Sequence, residues 1–206
     1  MTPKSDIFDK HYQDYLKKID KVNKDRIKEI LGLEINGKDI CIPFMGEAYK
    51  ISKDGIFNSE GTTPGYATCV ILAKYILHCP DALHQDKAWV SFKDFKQTAA
   101  FTNVNFFSTD TEQAIAKGFS QKIDRLEQAC QNTGGTPVSE NMPYDLAVAF
   151  KILPRLSLLL LFNDQDEEFE AECKVLFYRH SEFYLDPESL AVTGAVLAKR
   201  LLNQTP

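Results

Sequence analysis

Acidic side chains crowd into one short segment, and these residues have the types and spacing that could do chemistry. The segment reads FNDQDEEF over residues 162–169 and follows an apolar run that predicts a buried strand. Strand ends are where open sheets often build sites. Carboxylates this close repel, so one can keep its proton near neutrality for acid and base work, or the group can collect a hard cation. The candidate site residues are Asp164, Asp166, Glu167 and Glu168, with His180 as a polar partner.

The acidic segment also has a plainer interpretation. A run of charges is commonly a solvated turn, and Glu is favoured in the first turn of a helix by the helix dipole. A calcium loop of the EF-hand type is excluded, because Asp164-x-Asp166-x-Glu168 lacks the following Gly and an entering helix. The segment is therefore either a site or a solvated turn.

Aromatic residues gather between residues 89 and 107 and form a second candidate. They could line an apolar pocket for a ligand or a partner, although packing in the core is the default for such residues. Nucleic-acid bases would need accompanying positive charge, and only Lys93 and Lys96 supply it, opposed by Asp94. The residues of this candidate apolar pocket are Trp89, Phe92, Phe95, Phe101, Phe106 and Phe107.

Signatures of other chemistries are absent from the sequence. No C-x-x-C pair occurs, and His78, Cys79 and His84 are better explained by a helix end than by a metal site. No G-x-S-x-G, P-loop or G-x-G-x-x-G motif is present, and Gly134-Gly135 is typical of a helix end. We predict no transition-metal or cluster site, and the cofactor stays unknown.

Composition and charge limit the class of protein. The chain has 206 residues, of which 44% are hydrophobic, enough for one sizeable core. The net charge is −5, and the six carboxylates between residues 164 and 172 account for the acidity, so we expect no nucleic-acid partner. No apolar run is long enough for a membrane span, and the N-terminus lacks a secretory pattern. Five widely spaced cysteines indicate a reduced, cytoplasmic protein.

Apolar periodicity predicts the elements that must position the candidate residues. Helical spacing covers residues 8–31, with a break near Val22 and Asn23. It also predicts a buried helix at 66–78 and a helix from a capping box at Ser108 to Cys130. A last helix is capped by Asp186. Alternation predicts strands at 40–44, 48–51, 56–57, 89–92, 144–152 and 156–162, whereas 173–178 could be strand or helix. Pro43 places its strand at an edge or a bulge.

This order of elements favours an α+β fold over a doubly wound one. We predict a single layered domain over residues 1–206, with a mainly antiparallel sheet, a meander plus a hairpin, packed by about four to five helices. Residues 1–36 form its helical N-terminal segment, and residues 37–206 form the α+β body.

Several dispersed motifs run through most of the chain. They are WVSFKDF at 89–95, Gly134-Gly135, LPRLSLLL at 153–160, the acidic residues 164–169, Leu176-Phe177 and Phe183-Tyr184-Leu185. Together they resemble an uncharacterised family of prokaryotic proteins, a domain of unknown function common in anaerobes. Some members carry an N-terminal iron–sulfur segment, which implies a setting in anaerobic redox or corrinoid metabolism. This sequence lacks that segment, so the resemblance implies neither a cluster nor an assigned activity.

Two functions follow as hypotheses. In the first, the chain is a binding or accessory protein, and the aromatic segment and the acidic strand end form a pocket or interface for a small cofactor or protein partner. In the alternative, it is a metal-assisted or acid/base hydrolase that uses Asp164, Asp166 and Glu167. The enzyme requires these carboxylates to converge in a concave pocket with a partner such as His180, whereas the accessory role predicts that they splay into solvent beside an exposed apolar patch. A purely structural subunit would show a large homomeric interface.

Overall fold

Nine strands form two antiparallel sheets in the part of the chain that the computed structural model describes, residues 3–95, 104–138 and 142–204. The strands are β1 (Glu34–Asn36), β2 (Asp39–Phe44), β3 (Glu47–Ser52), β4 (Gly55–Asn58), β5 (Trp89–Ser91), β6 (Thr136–Pro137), β7 (Leu146–Leu153), β8 (Leu156–Asn163) and β9 (Glu172–Tyr178). One sheet has the order β1-β2-β3-β4 and the other β5-β9-β8-β7-β6. The predicted α+β class is confirmed, with the meander and the hairpin in different sheets.

The helices pack around these sheets. They are α1 (Pro3–Ile19), α2 (Lys24–Leu31), α3 (Tyr66–Leu77), α4 (Val104–Phe107), α5 (Ala114–Phe119), α6 (Ile123–Asn132) and α7 (Pro187–Asn203). A π-helical segment, Ser108–Gln113, joins α4 to α5 without a break, and 3₁₀ turns occupy Phe92–Asp94 and Arg179–Phe183. No described helix is both long and apolar enough to cross a membrane.

The larger sheet follows from the hydrophobic pattern. β7 and β8 are the predicted pair, and the turn at Pro154-Arg155 joins them. Residues 173–178 form a strand, because they continue this antiparallel pairing from Asn163↔Glu172 to Leu158↔Phe177. Alternation directs every second side chain of β7, β8 and β9 into one hydrophobic cluster that also contains residues of the meander and the helices. The N–H of Met45 donates to the Ile152 carbonyl at 2.9 Å and links the two sheets.

The strand pairing of the meander explains why β2 tolerates Pro43. β1 pairs with β2 only as far as Cys41, so β2 has no neighbour on that side at Pro43. Proline has no N–H to donate, and it therefore costs no ladder hydrogen bond at this locally open edge.

The N-terminal helices break where predicted and are tied to the body. Asn23 caps α2, and its side chain accepts the Arg26 N–H, while Gly32 ends the helix at φ +70°. Side chains from distant elements satisfy the last carbonyls of α2. The Arg155 guanidinium donates to Glu29 and Ile30, and the Tyr75 hydroxyl donates to Leu31.

One predicted helix start is wrong. Ser108 does not cap a helix, because the helix has already begun at Val104 and Ser108 lies inside it. The same helix does not continue to Cys130. Gln121 has φ +60° and separates α5 from α6, and its N–H donates to the Asp164 carboxylate at 2.6 Å.

Candidate functional site

A cleft of about 520 Å³ opens where β5 stops pairing with β9. β5 pairs only with Leu176–Tyr178, so the π-helical segment, instead of a strand, lies beside the rest of β9. The volume falls in the range of small-molecule pockets, roughly 300–1,000 Å³. We call it the sheet-edge cleft. Its lining residues are Ser91, Phe92, Lys93, Phe107, Ser108, Glu112, Gln113, Ala116, Ala171, Glu172, Cys173, Lys174 and Leu176.

Two carboxylates line the sheet-edge cleft, and Glu112 is the more buried one, since Glu172 is exposed. Oε1 of Glu112 accepts the backbone N–H of Val175 at 3.1 Å and so replaces the missing strand. Burial raises the pKa of Glu112, and the hydrogen bonds from Val175 and Ser108 offset that rise only in part. A desolvated carboxylate in a concave site is a recognised mark of binding or acid/base sites.

The π-helical segment between α4 and α5 packs closely against α7. π-helical turns inside α-helices occur frequently at functional sites. Thr111, in the segment, is fully buried, and its hydroxyl has no hydrogen-bond partner within the described residues. Gly194 of α7 allows the close approach, because a Cβ there would lie 2.5 Å from Phe107 Cε2 and 2.9 Å from Thr111 Oγ1.

The floor of the sheet-edge cleft is aromatic. Phe92 and Phe107 stack with ring centroids 4.6 Å apart, and each is about 2% exposed. Phe177 of β9 packs behind both rings. Two members of the predicted apolar pocket therefore line a real cleft, and they do so as part of the core.

The other members of the predicted apolar pocket are placed differently. Phe95 is buried against Phe92 and Phe177 and does not line the cleft. Trp89 stacks on Tyr178 with ring centroids 4.2 Å apart, and Phe106 is exposed. Phe101 lies outside the described residues. The six aromatic residues thus do not form one pocket.

The acidic segment forms a turn whose carboxylates bind backbone. Asp164 accepts the N–H groups of Gln121 and Gln165, and Asp166 accepts those of Glu168 and Phe169. The two backbone hydrogen bonds lower the pKa of Asp166. Asp166, Glu167 and Glu168 are exposed. These contacts fit a hydrogen-bonded, solvated turn.

An open groove of about 660 Å³ borders the acidic segment, and Asp164 and Asp166 line it. Ala171 and Glu172 line both this groove and the sheet-edge cleft. Phe169 also borders the groove and is 69% exposed. Within residues 3–95, 104–138 and 142–204, no three His, Cys, Asp or Glu side chains are grouped to hold a metal ion.

His180 lies away from the acidic segment. It follows the end of β9 at Tyr178, whereas the acidic segment precedes the other end at Glu172, roughly 20 Å away at 3.3 Å per residue. His180 is buried, and its ring nitrogens lie 2.7 Å from the Asp86 carbonyl oxygen and 2.8 Å from that of Arg155. The structure therefore does not bring His180 together with Asp164, Asp166, Glu167 and Glu168.

Cys173 is the thiol of the sheet-edge cleft, and it is buried. Burial raises the pKa of Cys173 well above its ordinary value. The thiolate is the nucleophilic form of cysteine, so this environment disfavours Cys173 as a nucleophile. Glu112, which is partly buried, is thus the polar group of the cleft best suited to bind a ligand or to transfer a proton. The sequence pattern predicts only a capping-box role for it.

Comparison with known proteins places this architecture in a family. A family model described as a domain of unknown function (DUF3786) matches residues 24–200, from the start of α2 into α7. The chain belongs to the DUF3786 family. The match includes both sheets and the sheet-edge cleft, and it confirms the resemblance to a domain of unknown function. No curated protein and no solved structure matches the chain.

Proposed function

We propose that this DUF3786 protein binds a small organic ligand in the sheet-edge cleft. The observation that carries the proposal is the position of Glu112, a partly desolvated carboxylate between an aromatic floor and a strand edge. The ligand class is a flat apolar body with a cationic N–H group, of the amidine or aromatic amine type. The apolar body covers the floor, and the N–H group donates to Glu112.

The partial desolvation of the Glu112 carboxylate supports a cationic ligand. A partly buried carboxylate without a matching cation is costly, and a charge-assisted hydrogen bond from a cationic ligand offsets that cost. The basic side chain Lys174 at the rim already pairs with Glu172 at 3.2 Å. Lys174 also lowers the pKa of Glu112, but less than burial raises it. A cationic ligand would therefore add opposite charge beyond that of Lys174.

The binding or accessory hypothesis fits this site better than the hydrolase hypothesis. Asp164 and Asp166 hold backbone N–H groups, and Glu167 is exposed, so support for acid/base chemistry is confined to Glu112. An acid/base enzyme would also need a second reacting group beside Glu112. The burial of Cys173 disfavours the thiol for that role.

We also propose a reducing, cytoplasmic setting, in keeping with the anaerobic setting that the family resemblance implies. All five cysteines are free, and Cys69, Cys130 and Cys173 are buried. Burial raises the pKa of Cys69 to about 11 and that of Cys130 to about 12. These buried thiols act as small apolar side chains in the core.

Thermal unfolding with matched probes tests the binding proposal. Benzamidine carries the flat ring and the cationic N–H groups, and neutral benzamide is its control. Benzamidine at about 100 times its dissociation constant stabilises the folded protein by roughly 2.7 kcal/mol, and benzamide has a smaller effect. Glu112→Gln removes the negative charge, and Ala171→Phe fills the cleft. Both variants are expected to abolish the stabilisation, whereas Glu167→Gln, at an exposed carboxylate, retains it.

Two results would overturn the proposal. One is equal stabilisation of wild type and both cleft variants, which would place the probe elsewhere. The other is the absence of any stabilisation by benzamidine, tryptamine and 2-aminopyridine at millimolar concentration.

A further inference from the structure

A separate cavity, of about 230 Å³, lies at the Pro154-Arg155 end of the β7–β8 hairpin. Three cationic side chains line it, Lys87, Lys151 and Arg155, together with His84. No carboxylate belongs to the described lining of this hairpin-end cavity. In a chain with a net charge of −5, such a lining is a local reversal of sign.

Strand register fixes part of the lining. Lys151 pairs with Ser157, and Trp89 pairs with Tyr178. Ser157 precedes Leu158, which pairs with Phe177, so Ser157 and Tyr178 are also neighbours across β8 and β9. Cross-strand neighbours point to the same face of a sheet. An ammonium, a hydroxyl and a phenol, each able to donate a hydrogen bond, therefore stand in one row at the cavity.

The lysines of the cavity have no acidic partner in the described part of the chain. Neither Lys87 nor Lys151 forms an ion pair there. The neighbouring carboxylate of Asp86 instead accepts the Ala88 N–H and lies 3.4 Å from Arg179 Nη1. Arg155 directs two of its N–H groups to carbonyls of α2 and keeps its positive charge. The cavity therefore has uncompensated positive charge.

The loop that carries Lys87 is held in place. The Tyr184 hydroxyl donates to the His84 carbonyl and accepts the His84 N–H, both at 2.9 Å. The His180 backbone N–H donates to the Asp86 carbonyl at 3.1 Å. Two aromatic stacks, Trp89 on Tyr178 and His84 on Phe183, include lining residues. A preformed site loses less entropy when it binds a ligand.

We propose that the hairpin-end cavity binds a phosphate group. Lys87 and Lys151 supply charge, and Ser157 and Tyr178 supply neutral donors, which together suit the acceptor oxygens of phosphate. The volume holds one phosphate group, and the rest of a larger ligand would extend over the flanking rings. The phosphate is either the free ion or the terminal group of a phosphate monoester.

Titration of the full chain at low salt tests this proposal, with inorganic phosphate and adenosine monophosphate as probes. Saturable binding of either probe supports the site, and tighter binding of the monoester identifies a ligand with a ring. The double variant Lys87→Met/Lys151→Met is expected to weaken binding at least tenfold. Lys53→Met, at an exposed lysine of the meander, leaves it unchanged. Added salt weakens binding, because the lysines are exposed and screened.

The result that would overturn the proposal is the absence of saturable binding of both probes to the wild type, or equal binding by the double variant. The test is independent of the sheet-edge cleft, because Glu112→Gln is expected to bind phosphate as the wild type does. Failure of one site is therefore distinguishable from failure of the other.

Discussion

Glu112 accepts the backbone N–H of Val175 at 3.1 Å, so a helix side chain completes the strand edge that β5 leaves open. A buried N–H needs a partner, and here the partner is a carboxylate. The hydrogen bond fixes that carboxylate in the sheet-edge cleft, which Phe92 and Phe107 also line. One contact thus connects the stability of the larger sheet to the chemistry of the cleft.

The Glu112→Gln variant is expected to fold with a stability within about 1 kcal/mol of the wild type at pH 7, or above it. The amide oxygen still accepts the Val175 N–H, and the desolvated charge is removed. Chemical denaturation of the two proteins measures the difference. Glu112→Ala is the contrasting variant, since it leaves the N–H unpaired and costs roughly 1–3 kcal/mol. A large loss in Glu112→Gln would show that the charge itself stabilises the fold.

The same residue gives the stability of the protein a pH dependence. Because the pKa of Glu112 is raised in the folded state, the folded protein holds this proton more tightly than the unfolded chain. Its contribution to the free energy of unfolding therefore falls as pH rises from the ordinary value, 4.5, through the folded value. The free energy of unfolding of the wild type minus that of Glu112→Gln should decrease as pH rises across that window. A difference that increases with pH would contradict the burial of Glu112.

Gly194→Ala is expected to destabilise the protein by about 1–3 kcal/mol, although Ala is the better helix former. The added Cβ would overlap Phe107 and Thr111 at the close approach of α7. Gly118→Ala is the matched control, because its Cβ meets the flexible end of Leu202. Thermal unfolding of both variants checks the expectation. Equal stability of the two would mean that the π-helical segment can move away from α7.

Tyr75→Phe is expected to cost roughly 1–2 kcal/mol. The buried Tyr75 hydroxyl donates to the Leu31 carbonyl and accepts the Arg155 N–H, both at 3.2 Å, so it joins α2 to the hairpin turn. Tyr15→Phe, at a half-buried tyrosine of α1, serves as the control. Urea unfolding measures both. A neutral Tyr75→Phe would show that this hydroxyl does not help to hold α2 against the hairpin turn.

Asp186→Ala is expected to cost about 0.5–2 kcal/mol, because it removes the cap of α7. Burial by itself would raise the pKa of Asp186, but the Ser189 N–H at 2.9 Å and the Lys74 ammonium at 3.0 Å lower it overall. Its stabilisation is therefore present above the ordinary value, 3.8, and is lost as pH falls through the lowered one. Unfolding of wild type and Asp186→Ala between pH 2 and 6 tests this, with Glu167→Gln, at an exposed carboxylate outside α7, as the control. The same dependence of stability on pH in wild type and Asp186→Ala would contradict a lowered pKa of Asp186 in the folded state.

Much of the fold could be predicted from local pattern. Alternating apolar residues on either side of Pro154-Arg155 predicted the β7–β8 hairpin, and Asp186-Pro187 predicted the start of α7. The π-helical segment could not be predicted in this way, because the spacing of Ser108 and Glu112 also matches a helix start. The break at Gln121 depends on Asp164, which is 43 residues away.

The site depended on contacts that local pattern does not contain. Glu112 acquires its role only beside Val175, 63 residues further along the chain. His180 is close in sequence to the acidic segment, yet the two lie at opposite ends of β9, which separates them in the chain. Of the six aromatic residues of the predicted apolar pocket, Phe92 and Phe107 line the cleft.

The most direct test is the backbone amide resonance of Val175, recorded by NMR while benzamidine is added to the wild type and to Glu112→Gln. The Val175 N–H bonds to the carboxylate that is proposed to receive the ligand, so its chemical shift reports on that contact. The expected result is a saturable shift in the wild type that is absent in Glu112→Gln. An unmoved Val175 resonance at saturating benzamidine, or the same shift in both proteins, would contradict a ligand site centred on Glu112.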